Sequence, residues 1–257
     1  MKQLKKKPVV GICAANKVGF EAVSFAFSQK KAISFLATCD KDDSGYEPKI
    51  ANLAKRHKAR FFRKINTQNE GFLKFLRKSE ADLAILAWWP SIVKKEAIDS
   101  LKVGFLNMHP SLLPYGRGKH PYYWTITEKT PFGATLHLID EGVDTGPVVF
   151  QKEIPVSFED TGESLYKKGC EEILNLFKKN YGKIMSLNFK ARPQDKTKAT
   201  FHLAKNLASH SHIIMEKNYM AADIINIIRG RTFLSGDSSS VTVGGKEYRL
   251  KLIIEKI

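Results

Sequence analysis

Short apolar runs alternate with segments of helical spacing through the first two-thirds of the chain. "PVVGICA", "AISFLATCD", "RFFRKIN", "DLAILAWW" and "VGFLNM" are each bounded by turn residues or charges. Between them, "GFEAVSFAFSQ", "EPKIANLAKRHK" and "NEGFLKFLRKS" place apolar residues three and four apart, as one face of a helix requires. A strand that is apolar almost throughout must be covered on both faces. The pattern therefore predicts an α/β fold, a mostly parallel sheet with helices on either side. "FGATLHLID" and "PVVFQKEIPV" then follow one another across the turn "EGVDTG", too close for a crossover helix, which predicts an antiparallel excursion. "TGESLYKKGCEEILNLFKKNYGKIM" reads as a long amphipathic helix closing the domain, with Asp160 or Thr161 as its N-cap.

The periodicity lapses at Ser186. "LNFKARPQDKTKATFH" is polar, holds a proline and reads as a linker. "YMAADIINIIRG" is a short helix ending at a glycine, and "SSVTVGGKEYRLKLIIE" a hairpin turning at Gly244-Gly245. The expected organisation is a catalytic domain over residues 1–186 and a C-terminal extension over 187–257, made of linker, helix and β-hairpin.

Composition narrows the class. A chain of 257 residues, 43% hydrophobic and 26% charged, can bury a full core. No apolar run approaches the roughly 20 residues that span a bilayer, so no membrane association is expected. The start "MKQLKKKPVVGICAA" resembles a signal peptide, but its apolar part is short and "ANKVGFEAV" continues as loop and helix. A basic turn, with Lys5 to Lys7 solvated, feeding the first buried strand is the expected arrangement. Cys13, Cys39 and Cys170 lack metal-ligand spacing and suit reduced thiols of a cytoplasmic protein.

A net charge of +16 raises a nucleic-acid partner. The excess is spread out: residues 1–186 carry 30 Lys+Arg against 20 Asp+Glu (30 − 20 = +10), and residues 187–257 carry 12 against 6 (12 − 6 = +6). No basic stretch interleaves aromatics as a base-stacking platform does, so a nucleic-acid partner is not expected, although a polyanionic substrate would benefit from the field.

The chemistry-bearing stretch is "LNMHPSLLPYGRGKHP", from Leu106 to Pro121. Asn107 and His109 close an apolar strand, and ligands of open parallel sheets bind at carboxyl ends of strands. His137 and Asp144 follow on the next strand and turn. Asn, His and Asp in one cleft supply an oxyanion donor, a proton carrier near neutral pH and a carboxylate to orient it. That set suits acyl transfer without a protein nucleophile.

"LNMHPSLLPYGRGKHP" followed by "FGATLHLIDEGVDTGPVV" closely resembles the 10-formyltetrahydrofolate-dependent formyltransferase family, and the strand-helix pattern extends the likeness over about the first 185 residues. The resemblance implies a Rossmann-like sheet, 10-formyltetrahydrofolate as formyl donor, and Asn107, His109 and Asp144 as the catalytic set. Asn107 would donate to the oxygen of the tetrahedral intermediate, His109 would take or relay the amine's proton, and Asp144 would hold His109. His137 is expected in structural support. By the same resemblance Trp89, Ser91, Ile92 and Val93 would line the folate with Asp140, Glu141, Gly142 and Val143, while Trp88 is assigned to the core. No metal or nicotinamide is implied.

The family divides by acceptor. "CAANKVGFEA" lacks the glycine-rich phosphate loop of the purine enzymes, and the tail is too short for the barrel that follows the transfer-RNA enzymes. "RGKHPYYW" and "ATFHLAK…IINIIRGRTF" look most like the nucleotide-linked sugar N-formyltransferases, which implies a dTDP-linked 3- or 4-amino dideoxy sugar as acceptor, in surface-polysaccharide synthesis. Its diphosphate would meet Arg117, Lys119, His120 and the helix start near Lys17. Tyr122 and Tyr123 could pack against a base or sugar, or within the fold. A homodimer joined partly through the tail is also expected. The other readings are a methionyl-tRNA formyltransferase and a basic RNA-binding protein on the same fold. Sugar, amine position and nucleotide are not legible from these residues.

Overall fold

The computed structural model describes residues 7–30 and 33–257. Lys5 and Lys6 of the expected basic turn lie outside the described residues. The first two-thirds of the chain alternates as its pattern predicts: β1 (Val10–Ala14), α1 (Asn16–Ser28), β2 (Phe35–Cys39), α2 (Glu47–Arg56), β3 (Arg60–Ile65), α3 (Glu70–Lys78), β4 (Leu83–Ala87), α4 (Lys95–Ile98) and β5 (Gly104–His109). Then come β6 (Arg117–Gly118), α5 (Pro121–Glu128), β7 (Phe132–Leu138), β8 (Val148–Ile154) and α6 (Gly162–Met185). The remainder holds β9 (Phe201–His202), α7 (Ala204–His210), β10 (His212–Ile213), α8 (Ala221–Arg231), β11 (Ser239–Val243) and β12 (Lys246–Leu250). No helix of the described residues is long and apolar enough to cross a membrane.

The main sheet has seven strands in the order β3-β2-β1-β4-β5-β7-β8. Strands β1 to β5 pair in parallel, and β7 runs antiparallel to β5. All five residues of β1, β2 and β4 are buried, which is why they are apolar throughout. The order reverses at β1, whose chain leaves toward β2 and β3 and returns on the other side as β4. That reversal opens the crevice in which doubly wound sheets bind ligands. The backbone there is tight: a Cβ on Gly19 would stand 2.8 Å from the Ala87 carbonyl.

The chain divides into two units that interleave along the sequence: residues 1–109, 135–150 and 173–194, and residues 110–134, 151–172 and 195–257. In the first, Phe35, Phe72, Leu76 and Phe105 centre one apolar cluster, and Phe25, Phe177 and Tyr181 meet edge to face. In the second, Thr161 caps α6 as expected, its Oγ1 accepting from the Ser164 N–H at 3.2 Å. The expected hairpin is β11 and β12, with Val243 opposite Lys246 and both Gly244 and Gly245 at positive φ, as a two-residue turn of this type demands.

The segment after Ser186 is not the free linker its polarity suggests. Arg192 exchanges backbone hydrogen bonds with Val148 at 2.8 and 2.9 Å within the first unit. In the second unit, β9 pairs in parallel with β6, with Arg117 N donating to the Thr200 carbonyl and Lys119 N to the His202 carbonyl, each at 3.0 Å. Polar sequence was read as unstructured, but its backbone groups are satisfied by partners far away in the chain.

Candidate active site

Strand pairing brings the polar residues of the first unit together. Asn107 stands opposite His137 and His109 opposite Thr135 across the β5–β7 ladder. Asp144 arrives on the turn after β7, held at φ 54°, a left-handed conformation that aspartate tolerates better than most side chains.

The side chains meet in a compact arrangement. His137 is fully buried, and its Nδ1 lies 2.9 Å from the Leu138 carbonyl. A carbonyl only accepts, so Nδ1 carries a proton, while Nε2 on the other side of the ring lies 3.5 Å from Asp144 Oδ1. Asn107 Nδ2 stands 3.2 Å from that Nε2. The same nitrogen reaches Asp144 Oδ1 at a long 3.4 Å. The other carboxylate oxygen, Oδ2, stands 3.8 Å from His109 Nδ1, with the two side chains 12% and 8% exposed. The site can thus donate to a growing negative charge and hold a proton within one cluster of three residues.

His137 was expected only in structural support; its placement makes it the group that orients Asn107. Gln194 escaped notice in a polar stretch read as linker, yet its Nε2 donates to the carbonyls of Asp144 at 2.8 Å and Gly146 at 2.7 Å.

The segments expected around the folate are placed side by side. Lys95, just past the first, pairs with Glu141 of the second at 3.2 Å. Asp140 holds its own loop, accepting from the Gly142 N–H at 3.1 Å and from Thr145 Oγ1. Ile92 is 79% and Val143 43% exposed, Val93 is buried, and Ser91 Oγ contacts Cys39 Sγ at 3.5 Å. The tryptophans part from expectation: Trp89 packs against the core cluster, while Trp88, assigned to that core, is half-buried at φ 61°. The positive φ breaks the alternation that would have set the two rings on opposite faces. The indole N–H of Trp89 is buried with no hydrogen-bond partner among the described residues. Exposed apolar side chains and an unanswered indole donor fit a flat heterocycle with acceptors on its edge.

The expected phosphate ligands differ among themselves. Lys17 is exposed and pairs with Glu21 at 3.8 Å. Lys119 is exposed, but Arg117 is only 9% exposed. His120 Nδ1 contacts the Tyr122 hydroxyl at 2.9 Å, and burial, together with Arg231 and Lys119, holds its ring below the usual histidine value of 6.5. Of the three basic residues in "RGKH", the one exposed cation is therefore Lys119. Tyr123 is fully buried and bonds His210, so its expected contact with a base or sugar gives way to packing.

Comparison with known proteins follows this geometry. Residues 11–178 match the family described as Formyl transferase. The methionyl-tRNA formyltransferase of Thermodesulfovibrio yellowstonii is 37% identical over 117 residues, 44% of this chain and 38% of that protein, so this chain spans well under half of that relative's length. A 4-N formyltransferase from Francisella tularensis has the same fold, with a TM-score of 0.84 at 21% identity, covering 97% of this chain and 99% of that one. The N-formyltransferase of Helicobacter canadensis, solved with folinic acid and dTDP-3-aminofucose, matches with a TM-score of 0.71 at 20% identity over 93% of this chain and 85% of its own.

Proposed function

We propose, from the premise that this chain belongs to the formyl transferase family, that it moves a formyl group from 10-formyltetrahydrofolate to the amine of a nucleotide-linked amino sugar, with a dTDP-linked 3- or 4-amino dideoxy sugar as the acceptor. The observation that carries the reading is the cluster of Asn107, His109 and Asp144 at the carboxyl end of β5. The choice of acceptor is supported by likeness along the whole chain. The fold of the Francisella enzyme matches 97% of it, tail included, whereas sequence alignments with methionyl-tRNA formyltransferases cover 44% and 72% of it.

The bound donor supplies an electrophilic formyl carbon, and this chain's residues supply the rest. The Asn107 amide nitrogen, 3.2 Å from His137 Nε2 and 3.4 Å from Asp144 Oδ1, is the donor assigned to the oxyanion. Loss of one such donor raises a barrier by about 3 kcal/mol. His109 accepts the proton that the attacking amine sheds, and Asp144 holds the ring and stabilises its charged form. Trp89, Ser91, Ile92 and Val93, with the loop from Asp140 to Val143, hold the folate. Lys119, the one exposed cation of "RGKH", meets the diphosphate.

The test is a thermal-shift screen of dTDP- and UDP-linked amino sugars, and of initiator tRNA, each with a folate analogue present. Saturation at about a hundredfold excess over Kd stabilises the native state by about 2.7 kcal/mol. A shift with a dTDP-linked amino sugar is the expected result. A shift with tRNA alone, falling steeply with salt, would replace this acceptor by the transfer-RNA one.

A further inference from the structure

We propose that Gln194 is a positioning residue for formyl transfer: by clamping the carbonyls of Asp144 and Gly146, it sets the place of the Asp144 carboxylate beside Asn107 and His109. The proposal rests on the reading of Asp144 as catalytic.

The clamp begins in the backbone. Arg192 and Val148 exchange two hydrogen bonds, which lay the chain beyond α6 along the start of β8. Two residues later the Gln194 carboxamide faces the turn that carries Asp144. Its Nε2 lies 2.8 Å from the Asp144 carbonyl and 2.7 Å from that of Gly146, so its two N–H groups are both engaged, one on either side of Thr145. Each bond is short for an amide donor.

The turn has reason to need this. Asp144 sits at φ 54°, a conformation that a non-glycine residue keeps only when its surroundings impose it. On the far side Gly146 lies so close to β7 that a Cβ would fall 1.9 Å from the Leu138 carbonyl. The Asp140 side chain holds the turn's first half through the Gly142 N–H. Gln194 supplies side-chain donors to carbonyls of its second half.

What the clamp fixes is sensitive to small shifts. The Asp144 oxygens stand 3.4 Å from Asn107 Nδ2 and 3.8 Å from His109 Nδ1, at the outer edge of useful contact. Movement of the Asp144 backbone by about an ångström would part the carboxylate from both, and misplacements of that size cost about a hundredfold in rate. Gln194 acts through the carbonyls of Asp144 and Gly146.

The experiment compares Gln194→Glu, which keeps the shape and lacks the donors, with Gln194→Lys, which restores donors without the amide. Formyl transfer from 10-formyltetrahydrofolate to dTDP-linked 3- and 4-amino sugars gives kcat and each KM. Amide hydrogen exchange of the substrate-free protein reads residues 140–147 against the β4 segment as internal reference. The expected result for Gln194→Glu is a kcat about tenfold to a hundredfold lower with both KM values unchanged, faster exchange at 140–147 only, and partial recovery of both in Gln194→Lys. Unchanged exchange and kcat in Gln194→Glu would overturn the proposal. So would a loss of kcat that merely follows a global loss of thermal stability and is not recovered by lysine. Asp144→Asn is assayed alongside: full activity there removes the catalytic reading of Asp144, whereas an inactive Asp144→Asn beside an unaffected Gln194→Glu removes the clamp alone. Exchange at 140–147 needs no acceptor, so an inactive acceptor panel still decides whether the clamp exists.

Discussion

Asn107 and His137 form a cross-strand pair: the amide nitrogen stands 3.2 Å from the imidazole Nε2, while the ring's other nitrogen donates to the Leu138 carbonyl. Two β-strands running in opposite directions place these residues opposite one another, so the orientation of a functional amide is written into the sheet register.

That pair yields the first prediction. Asn107→Ala, His109→Asn and Asp144→Asn should each lower kcat by about a hundredfold or more with the fold retained. His137→Leu removes no group assigned to the reacting atoms, yet it frees the Asn107 amide to turn. A loss of about tenfold in kcat is expected, measured by steady-state release of tetrahydrofolate. Near-normal turnover in His109→Asn would falsify the acyl-transfer assignment.

Much of this was legible in the sequence and some was not, for reasons that differ by residue. The strands β1, β2 and β4 are buried on both faces, so their composition alone announces them. Asn107, His109 and Asp144 stand at a strand end and a glycine-flanked turn, both visible in sequence. The β6–β9 ladder is two residues long and joins segments far apart in the chain, leaving no local period to read. Gln194 acts by hydrogen bonds to two carbonyls, a contact that any polar residue in any loop could make. Arg117 is buried despite a solvated look, and only the fold reveals it.

A second prediction concerns Arg229 of the second unit. Its guanidinium donates to the carbonyls of Ser157, Phe158 and Asp160 at 3.2, 3.1 and 2.7 Å and to Asn226 Oδ1 at 2.8 Å. Arg229→Met keeps the stem and abandons three carbonyls and an amide. A loss of about 2–4 kcal/mol is expected, since each buried group left unsatisfied costs about 1–3 kcal/mol and some gain water. Urea denaturation monitored by tryptophan fluorescence measures it, and a change below about 0.5 kcal/mol would refute the role.

A third concerns acid. Burial, then the charge of His202, hold His210 below its ordinary 6.5, and burial with Arg231 does the same for His120. Both rings bind protons more weakly folded than unfolded, so stability should fall as pH drops through about 6.5 toward their folded values. Asp160 has the opposite chemistry. Burial would raise its carboxyl, but bonds from Lys168, the Ser157 N–H and Ser164 outweigh it and hold it below 3.8. Its contribution is present above that value and is lost as pH falls through the lower, folded one. Thermal melts from pH 8 to 3 should show two descents, and His210→Gln should shrink the upper one. A melt temperature flat between pH 7.5 and 5.5 would contradict the histidine argument.

The last prediction tests whether Lys119 serves an anionic acceptor. An acceptor joined to a diphosphate brings about two negative charges to be offset while its amine stays neutral and reactive. In "RGKH" the structure leaves few groups for that task. Arg117 is buried, and His120 is held below its ordinary value, so at neutral pH its ring is largely uncharged. Lys119 is exposed, and its backbone is stitched to β9 by the bond from its N–H to the His202 carbonyl. Lys119→Ala should therefore raise the acceptor's KM by about tenfold, equivalent to about 1.4 kcal/mol, with kcat and the folate KM nearly unchanged. The effect should shrink with added salt, because an exposed charge is screened. If Lys119 is merely a solvated residue ahead of α5, both KM values stay put. Varying each substrate separately at two ionic strengths decides it, and an unmoved acceptor KM at low salt removes Lys119 from the phosphate site.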